Sequence, residues 1–422
     1  MSLTAFIRDD KLKIFVLRLL SLYLILIFLF ISNYLETYHF LAFLNKPFIG
    51  ITSFLTQVTG RVFLNRQFSN HFEFRDYSQT YIALLLYLLI ATIIALIWTI
   101  ADKGKKATRF FDYSWVFARY YLAAILLGYG TSKILGNQFA RPDLASMIQP
   151  FGDHDPHTLF WEFMGASKSY QIFGGLLETI AGLLLIFRRT IIMGCFLSFA
   201  LLVNVLMLDI AYDTFVRVRV VYFILLTAFI LLPYLKWLFG TFILRRVETL
   251  PVVPLLVQEK KYKWLQHASK FCLVTLIVVV ILKKQHDVYF QYHYPSQGSI
   301  AGIYKIQKFY LNGQLRQPVT NDTISWDKIA INNHFAIMSI QLAGDSVTQY
   351  YFKADTLKKV IRISYPNDPG FSSVLHYSIN KDNECFFEGT FKKDSVRFIS
   401  KKIHKNFNLD KGYGEMIWDY GL

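Results

Sequence analysis

Before residue 285 the chain is dominated by nearly uncharged apolar runs of about 17–22 residues, and these restrict its fold more than any other feature. A helix needs about 20 apolar residues to cross the roughly 30 Å hydrocarbon core, and in lipid each backbone N–H and C=O must be satisfied within the helix itself. YIALLLYLLIATIIALIWTI, ending at Ile100, shows the pattern. Spans are expected at about 15–34, 80–100, 114–135, 170–187, 191–209, 220–239 and 270–282, the last one short. The stretch 40–64 is less apolar and interrupted by Pro47, Gly50 and Gly60, so it reads as an interfacial helix and not an eighth span. The first run follows Arg8, Lys11 and Lys13, is too long for a signal-peptide core and lacks a small-residue cleavage site, which predicts an uncleaved anchor.

Composition agrees: 54% hydrophobic with 18% charged residues is unlike a water-soluble enzyme. The net charge of +16 does not point to nucleic acid, because the basic residues cluster beside the spans, where they set orientation and attract anionic lipid. With the N-terminus inside, the inner segments hold Arg8, Lys11, Lys13 and Arg18, then Lys103, Lys105, Lys106 and Arg109, then Arg188 and Arg189, then a basic stretch from Lys236 to Lys270. The outer loops hold roughly half as many, among them Lys46, Arg61, Arg141, Lys168, Arg217 and Arg219. Seven spans then put the N-terminus in the cytoplasm and the C-terminus outside a bacterial inner membrane, an outcome that hinges on the short seventh. Cys195, Cys272 and Cys385 are far apart with no CxxC, which speaks against a disulfide framework and against vitamin K epoxide reductase-like or thioredoxin-like chemistry.

From about Gly302 the pattern changes to short alternating segments rich in Tyr, Phe, Ile and Val, such as IYKIQKFYL, VTQYYFKA and CFFEGTF. Turn residues at Asn312–Gly313, Gly344–Asp345, Asn367–Asp368 and Lys381–Asp382–Asn383 separate them. Seven or eight such strands predict an all-β barrel or sandwich, either filled with side chains or holding one apolar ligand. The expected divisions are a two-helix region with an outer loop (1–110), a four-helix core (111–240), a basic linker with the seventh helix (241–285) and an extracytoplasmic β-rich domain (286–422).

Ionisable groups within spans are costly and therefore informative. Glu178 lies in IFGGLLETIAGLLLIF and should face the bundle interior; Lys133 in LGYGTSKILG is at matching depth as its partner, with Asn204 a further candidate. Gly128, Gly130, Gly174, Gly175 and Gly182 allow close helix approach. At the outer ends, Asp153, Asp209, Tyr212, Asp213, Arg217 and Arg219 make a polar cluster able either to close the bundle or to grip an anionic headgroup. Asp153, His154, Asp155 and His157 mix metal-ligating types, but the set is local and lacks distant ligands, so no metal is expected and a capping loop ahead of Pro156 is the better reading.

Residues about 114–239 resemble the DoxX-like membrane proteins, four-helix modules named after a subunit of thiosulfate:quinone oxidoreductase, in particular long Bacteroidetes-type forms with extra helices and a β-rich tail. The likeness rests on YYLAAILLGYGTSKILGNQF (Tyr129, Gly130, Lys133), on GDHDPHTLFWEFMGASKSYQIFGGLLETIAGLLLIFRRT (Gly152, Asp153, Trp161, Tyr170, Glu178, Arg188) and on NVLMLDIAYDTFVRVR (Asn204, Tyr212, Asp213, Arg217). GIYKIQKFYLNGQLRQP also looks like the start of that family's end domain. The family has small residues where His154 and His157 stand, and commonly Pro-Val-Lys near Phe215–Arg217. The resemblance implies quinone- or lipid-linked redox biology without assigning a catalytic residue.

Two readings follow. In one, a pocket lined by Glu178, Lys133, Tyr129 and Tyr170 binds a quinone or a membrane lipid; no cofactor motif is evident, and a quinone needs only apolar walls and two polar anchors. In the other, the protein is a non-enzymatic scaffold whose β-domain recruits an envelope protein, through exposed aromatics or the terminal GYGEMIWDYGL. A transporter is disfavoured by the absence of inverted repeats and the scarcity of charges within spans.

Overall fold

The computed structural model describes residues 11–31, 39–68, 75–102, 107–247, 249–251, 263–293, 300–317, 324–332, 336–365, 368–380 and 384–403. Arg8, Lys103, Lys105, Lys106, Asn367, Lys381–Asn383 and the terminal GYGEMIWDYGL, all used above, lie outside them. Two compact units emerge, Met1–Ile134 with Phe173–Gln285, and Leu135–Ile172 with His286–Leu422.

The first unit is helical. Its elements are α1 (Lys11–Ile31), α2 (His39–Leu64), α3 (Ser78–Ala101) and α4 (Ala107–Ile134). After α5 (Pro156–Ala166), which belongs to the second unit, come α6 (Lys168–Ile186), α7 (Ile191–Ala211) and α8 (Arg217–Leu231). A 3-10 turn at Leu232–Tyr234 and a π turn at Phe239–Ile243 extend α8, where Pro233 removes a donor, and α9 (Lys263–His293) follows. Helices thus occupy every expected span position. Among the described residues five of the seven expected spans, α1, α3, α6, α7 and α8 with its extension, are long and apolar enough to cross a membrane, and α4 and α9 are not among these five. α4 is less apolar because it carries Asp112, Arg119 and Lys133. α2 runs unbroken through Pro47, Gly50 and Gly60.

The faces of α3 show what solvent these helices suit. Ala83, Tyr87, Ala91 and Ala95, spaced by four, are buried, while Leu85, Leu89, Ile93 and Ile97 point outward. Large aliphatic groups outside and, Tyr87 apart, small ones inside invert the pattern of a water-soluble bundle; the outer face suits lipid, and the alanines permit close helix contact. Inside, Leu24, Ile27, Trp115, Leu122, Leu185, Phe223 and Ile230 join one core. The Trp115 N–H donates to the Ile230 carbonyl at 2.9 Å, and the Tyr222 hydroxyl to that of Leu24 at 2.9 Å.

The β part of the second unit is a closed antiparallel barrel, resolving the alternative left open by the sequence. Its strands are β1 (Gly302–Leu311), β2 (Gln314–Arg316), β3 (Trp326–Asn332), β4 (Ile337–Leu342), β5 (Val347–Asp355), β6 (Val360–Tyr365), β7 (Asp368–Ile379), β8 (Glu384–Phe391) and β9 (Asp394–Ile403). Neighbours in sequence pair up and down, and β1 pairs with β9 to close the ring; short β2 is a hairpin on β1. Asn312 and Gly313 at φ 50° and 81° form that hairpin's two-residue turn, as the Asn-Gly pair predicts. The interior is filled. Phe387 stacks on Phe398 at 4.7 Å, Trp326 meets Phe391 edge-on at 4.7 Å, and Tyr304, Ile329, Met338, Ile361 and Leu375 complete the core. The outer face of β3–β4 is covered too: Ala330, Ser339 and Gln341 are buried although they alternate with the inward Ile329, Ile331 and Ile340. Gln341 Nε2 donates to the Ile148 carbonyl at 3.3 Å, so the stretch between α4 and α5 lies over this wall.

Candidate functional site

Two helices carry a glycine one turn before a charged residue, Gly130 before Lys133 on α4 and Gly175 before Glu178 on α6. Residues three apart share a helix face, so contact at the glycines brings the charges together. A Cβ on Gly130 would stand 2.6 Å from the Gly175 carbonyl oxygen, and one on Gly175 2.5 Å from that of Gly130, so the two backbones touch where no side chain fits. One turn on, Lys133 Nζ donates to both Glu178 oxygens at 2.7 Å. Each side chain is 10% exposed. The Tyr129 ring centre lies 5.7 Å from the same ammonium. Beside Glu178, the Thr179 hydroxyl is buried without a hydrogen-bond partner.

A second polar group forms where α7 ends and α8 begins. Asp76, from the segment before α3, caps α8: its carboxylate accepts the backbone N–H groups of Arg217 and Val218 at 2.9 Å and the Arg217 Nε–H at 2.8 Å. Arg217 also reaches Asp213 at 2.9 Å. Asp213 and Phe215 have φ of 49° and 56°, a left-handed conformation that Asp tolerates and that is uncommon for Phe. Asp209 is buried; its Oδ1 accepts from the Thr214 hydroxyl at 2.5 Å, while Oδ2 has no partner. Tyr212 and Arg219 are half-buried beside them, each with partners of its own. Asp76 was missed by sequence reasoning because it is a lone loop carboxylate 141 residues from its arginine.

Not every expected residue joins these groups. Asn204 is exposed on α7 and Tyr170 is 48% exposed, so neither is a buried polar group. Asp153 lies exposed in a 3-10 turn (Phe151–Asp153) of the second unit. His154 pairs with Glu162 at 3.1 Å, and His157 stacks on Trp161 at 4.5 Å. Asp155 caps α5, accepting the Thr158 hydroxyl at 2.7 Å and its backbone N–H at 3.0 Å; the hydroxyl bond above all holds this carboxyl below the usual range. Among the described residues no three His, Cys, Asp or Glu side chains converge on a metal position.

No family model matches the chain, and no solved structure matches it. A stretch of 98 residues is 30% identical to the uncharacterized protein YwoB of Bacillus subtilis (strain 168), covering 22% of this chain. The match spans 60% of that relative's length.

Proposed function

We propose that this is an integral protein of the bacterial inner membrane whose DoxX-like helical core holds a quinone or a lipid against the Lys133–Glu178 pair. The observation that carries the reading is the pair itself, a buried charge couple in an apolar bundle with the Tyr129 ring and the unpartnered Thr179 hydroxyl beside it. Apolar walls with a few convergent polar groups are what a quinone carbonyl or a lipid ester requires. The void enclosed by Ser21, Leu24, Ser114, Phe117 and Tyr222 has only about 10 Å³, room for one water at most, so it is not the site of such a ligand.

The N-terminus is cytoplasmic and the barrel periplasmic in this reading. Support comes from α9, which runs parallel to α4: Lys270 near its start interacts electrostatically with Arg119, and Gln285 near its end donates to the Gly128 carbonyl at 3.2 Å. A helix parallel to α4 crosses in the same sense. Residues 135–172, which leave the end of α4, share one compact unit with the barrel, as expected if both lie on one side. The test is native mass spectrometry with lipid and quinone extraction on wild type and Glu178→Gln. A quinone or lipid lost in the variant supports the reading; no ligand above detergent background in either form refutes it.

The filled barrel favours a second reading, a scaffold for an envelope protein, since a barrel with no room inside offers its outer wall. Deleting residues 300–422 should then abolish recovery of the partner in a pull-down, and unchanged recovery would refute it.

A further inference from the structure

At the other end of α4 the helical unit holds a cation with two buried donors unused. Arg119 is 3% exposed, and its Nε and Nη1 are buried without a hydrogen-bond partner. It precedes Lys133 by fourteen residues, about 21 Å along the helix, and so is remote from the Lys133–Glu178 pair. The guanidinium lies over the Tyr120 ring at 4.6 Å and near that of Trp115 at 5.2 Å. Tyr120 also hydrogen-bonds the guanidinium, which leaves Nε and Nη1 as the donors without a partner.

Its other neighbours make matters worse. Arg188, just past the end of α6, and Lys270 on α9 both interact electrostatically with Arg119, and with the same sign. Lys270 is held there with its ammonium 5.3 Å from the Phe187 ring centre. A buried guanidinium with two idle donors beside two like charges is unfavourable unless an anion joins it. A phosphate brings several acceptor oxygens and fits the guanidinium fork. In the orientation proposed above this end faces the cytoplasmic leaflet, where anionic headgroups are concentrated.

We propose that Arg119, with Arg188 and Lys270 at the rim, binds the phosphate of an anionic phospholipid. The inference rests on the helical unit being membrane-embedded and not on any ligand at Lys133–Glu178. The test reconstitutes the full chain in phosphatidylcholine nanodiscs with or without phosphatidylglycerol, reading thermal unfolding and the lipid retained in native mass spectrometry. Phosphatidylglycerol should stabilise the wild type and be retained by it. Arg119→Gln should weaken retention at least about tenfold, the effect of losing one charge-assisted bond pair. Lys270→Gln should weaken it by a smaller factor, while Lys236→Gln, an exposed lysine outside the cluster, should not change it. If Arg119→Gln fails to fold, Lys270→Gln measured against Lys236→Gln decides. Equal retention in wild type, Arg119→Gln and Lys270→Gln overturns the site. Equal stabilisation by inorganic phosphate in pure phosphatidylcholine overturns the lipid as the source of the anion.

Discussion

Replacing Lys133 with Met would leave the Glu178 carboxylate inside the bundle with neither of its 2.7 Å bonds. At that distance and an effective dielectric of about 20, the attraction is about 6 kcal/mol. Part returns because the lysine no longer needs desolvating, and removing one member of a buried pair costs about 3–5 kcal/mol. Glu178→Leu should cost about the same, for it strands the ammonium. The double variant Lys133→Met/Glu178→Leu buries no charge and should lose no more than about 1–2 kcal/mol. The singles then overshoot the double, with a coupling of several kcal/mol, well above the roughly 0.6 kcal/mol average of interhelical hydrogen bonds in membranes. Equilibrium unfolding in mixed micelles of graded denaturing-detergent content measures all three. Single losses below about 1 kcal/mol that simply add in the double would refute the claim that the pair is buried and mutually dependent.

Three further outcomes follow from the second unit. Asp155→Ala should destabilise the α5 region by about 1 kcal/mol at neutral pH through loss of the cap, seen as faster amide exchange at Thr158 and Leu159. Because folding depresses the Asp155 pKa, its contribution is complete above the ordinary carboxylate range and is lost as pH falls through its own lower value, so the variant's deficit should vanish in acid. Gly389→Ala should cost about 1–3 kcal/mol or more, since its Cβ would stand 2.0 Å from the Val374 carbonyl oxygen across the β7–β8 pair; an unchanged melting temperature would contradict the packing. Cys385 is buried and burial raises its pKa, so a maleimide should label it only upon unfolding, and rapid native labelling would contradict the filled barrel.

The apolar helices were legible because runs as long and uncharged as 81–100 suit few other structures. The unbroken α2 was not, because Pro47 removes one hydrogen bond without ending a helix that surrounding groups support; the Thr52 hydroxyl, for one, donates to the Phe48 carbonyl at 2.7 Å. Alternation revealed the strands, but barrel closure is a pairing of β1 with β9 across about a hundred residues, on which local pattern is silent. Nor did it foretell the shift in register between Ile306 and Lys308. Lys133 and Glu178 stood out as charges in apolar text, each one turn beyond a glycine. Arg119 was equally visible but passed unremarked, because what distinguishes it is two buried donors without a partner, a property of packing and not of sequence.

The reading depends most on the helices crossing a bilayer an odd number of times between Arg189 and the barrel. Both Arg189 and Lys353 are exposed, and α7, α8 and α9 lie between them. With Cys272 changed to Ser, single cysteines at these two positions can be probed with a membrane-impermeant maleimide on spheroplasts. Lys353→Cys should label at once and Arg189→Cys only after permeabilisation. Labelling of both from the same side would mean that α9 does not cross, and would contradict the account.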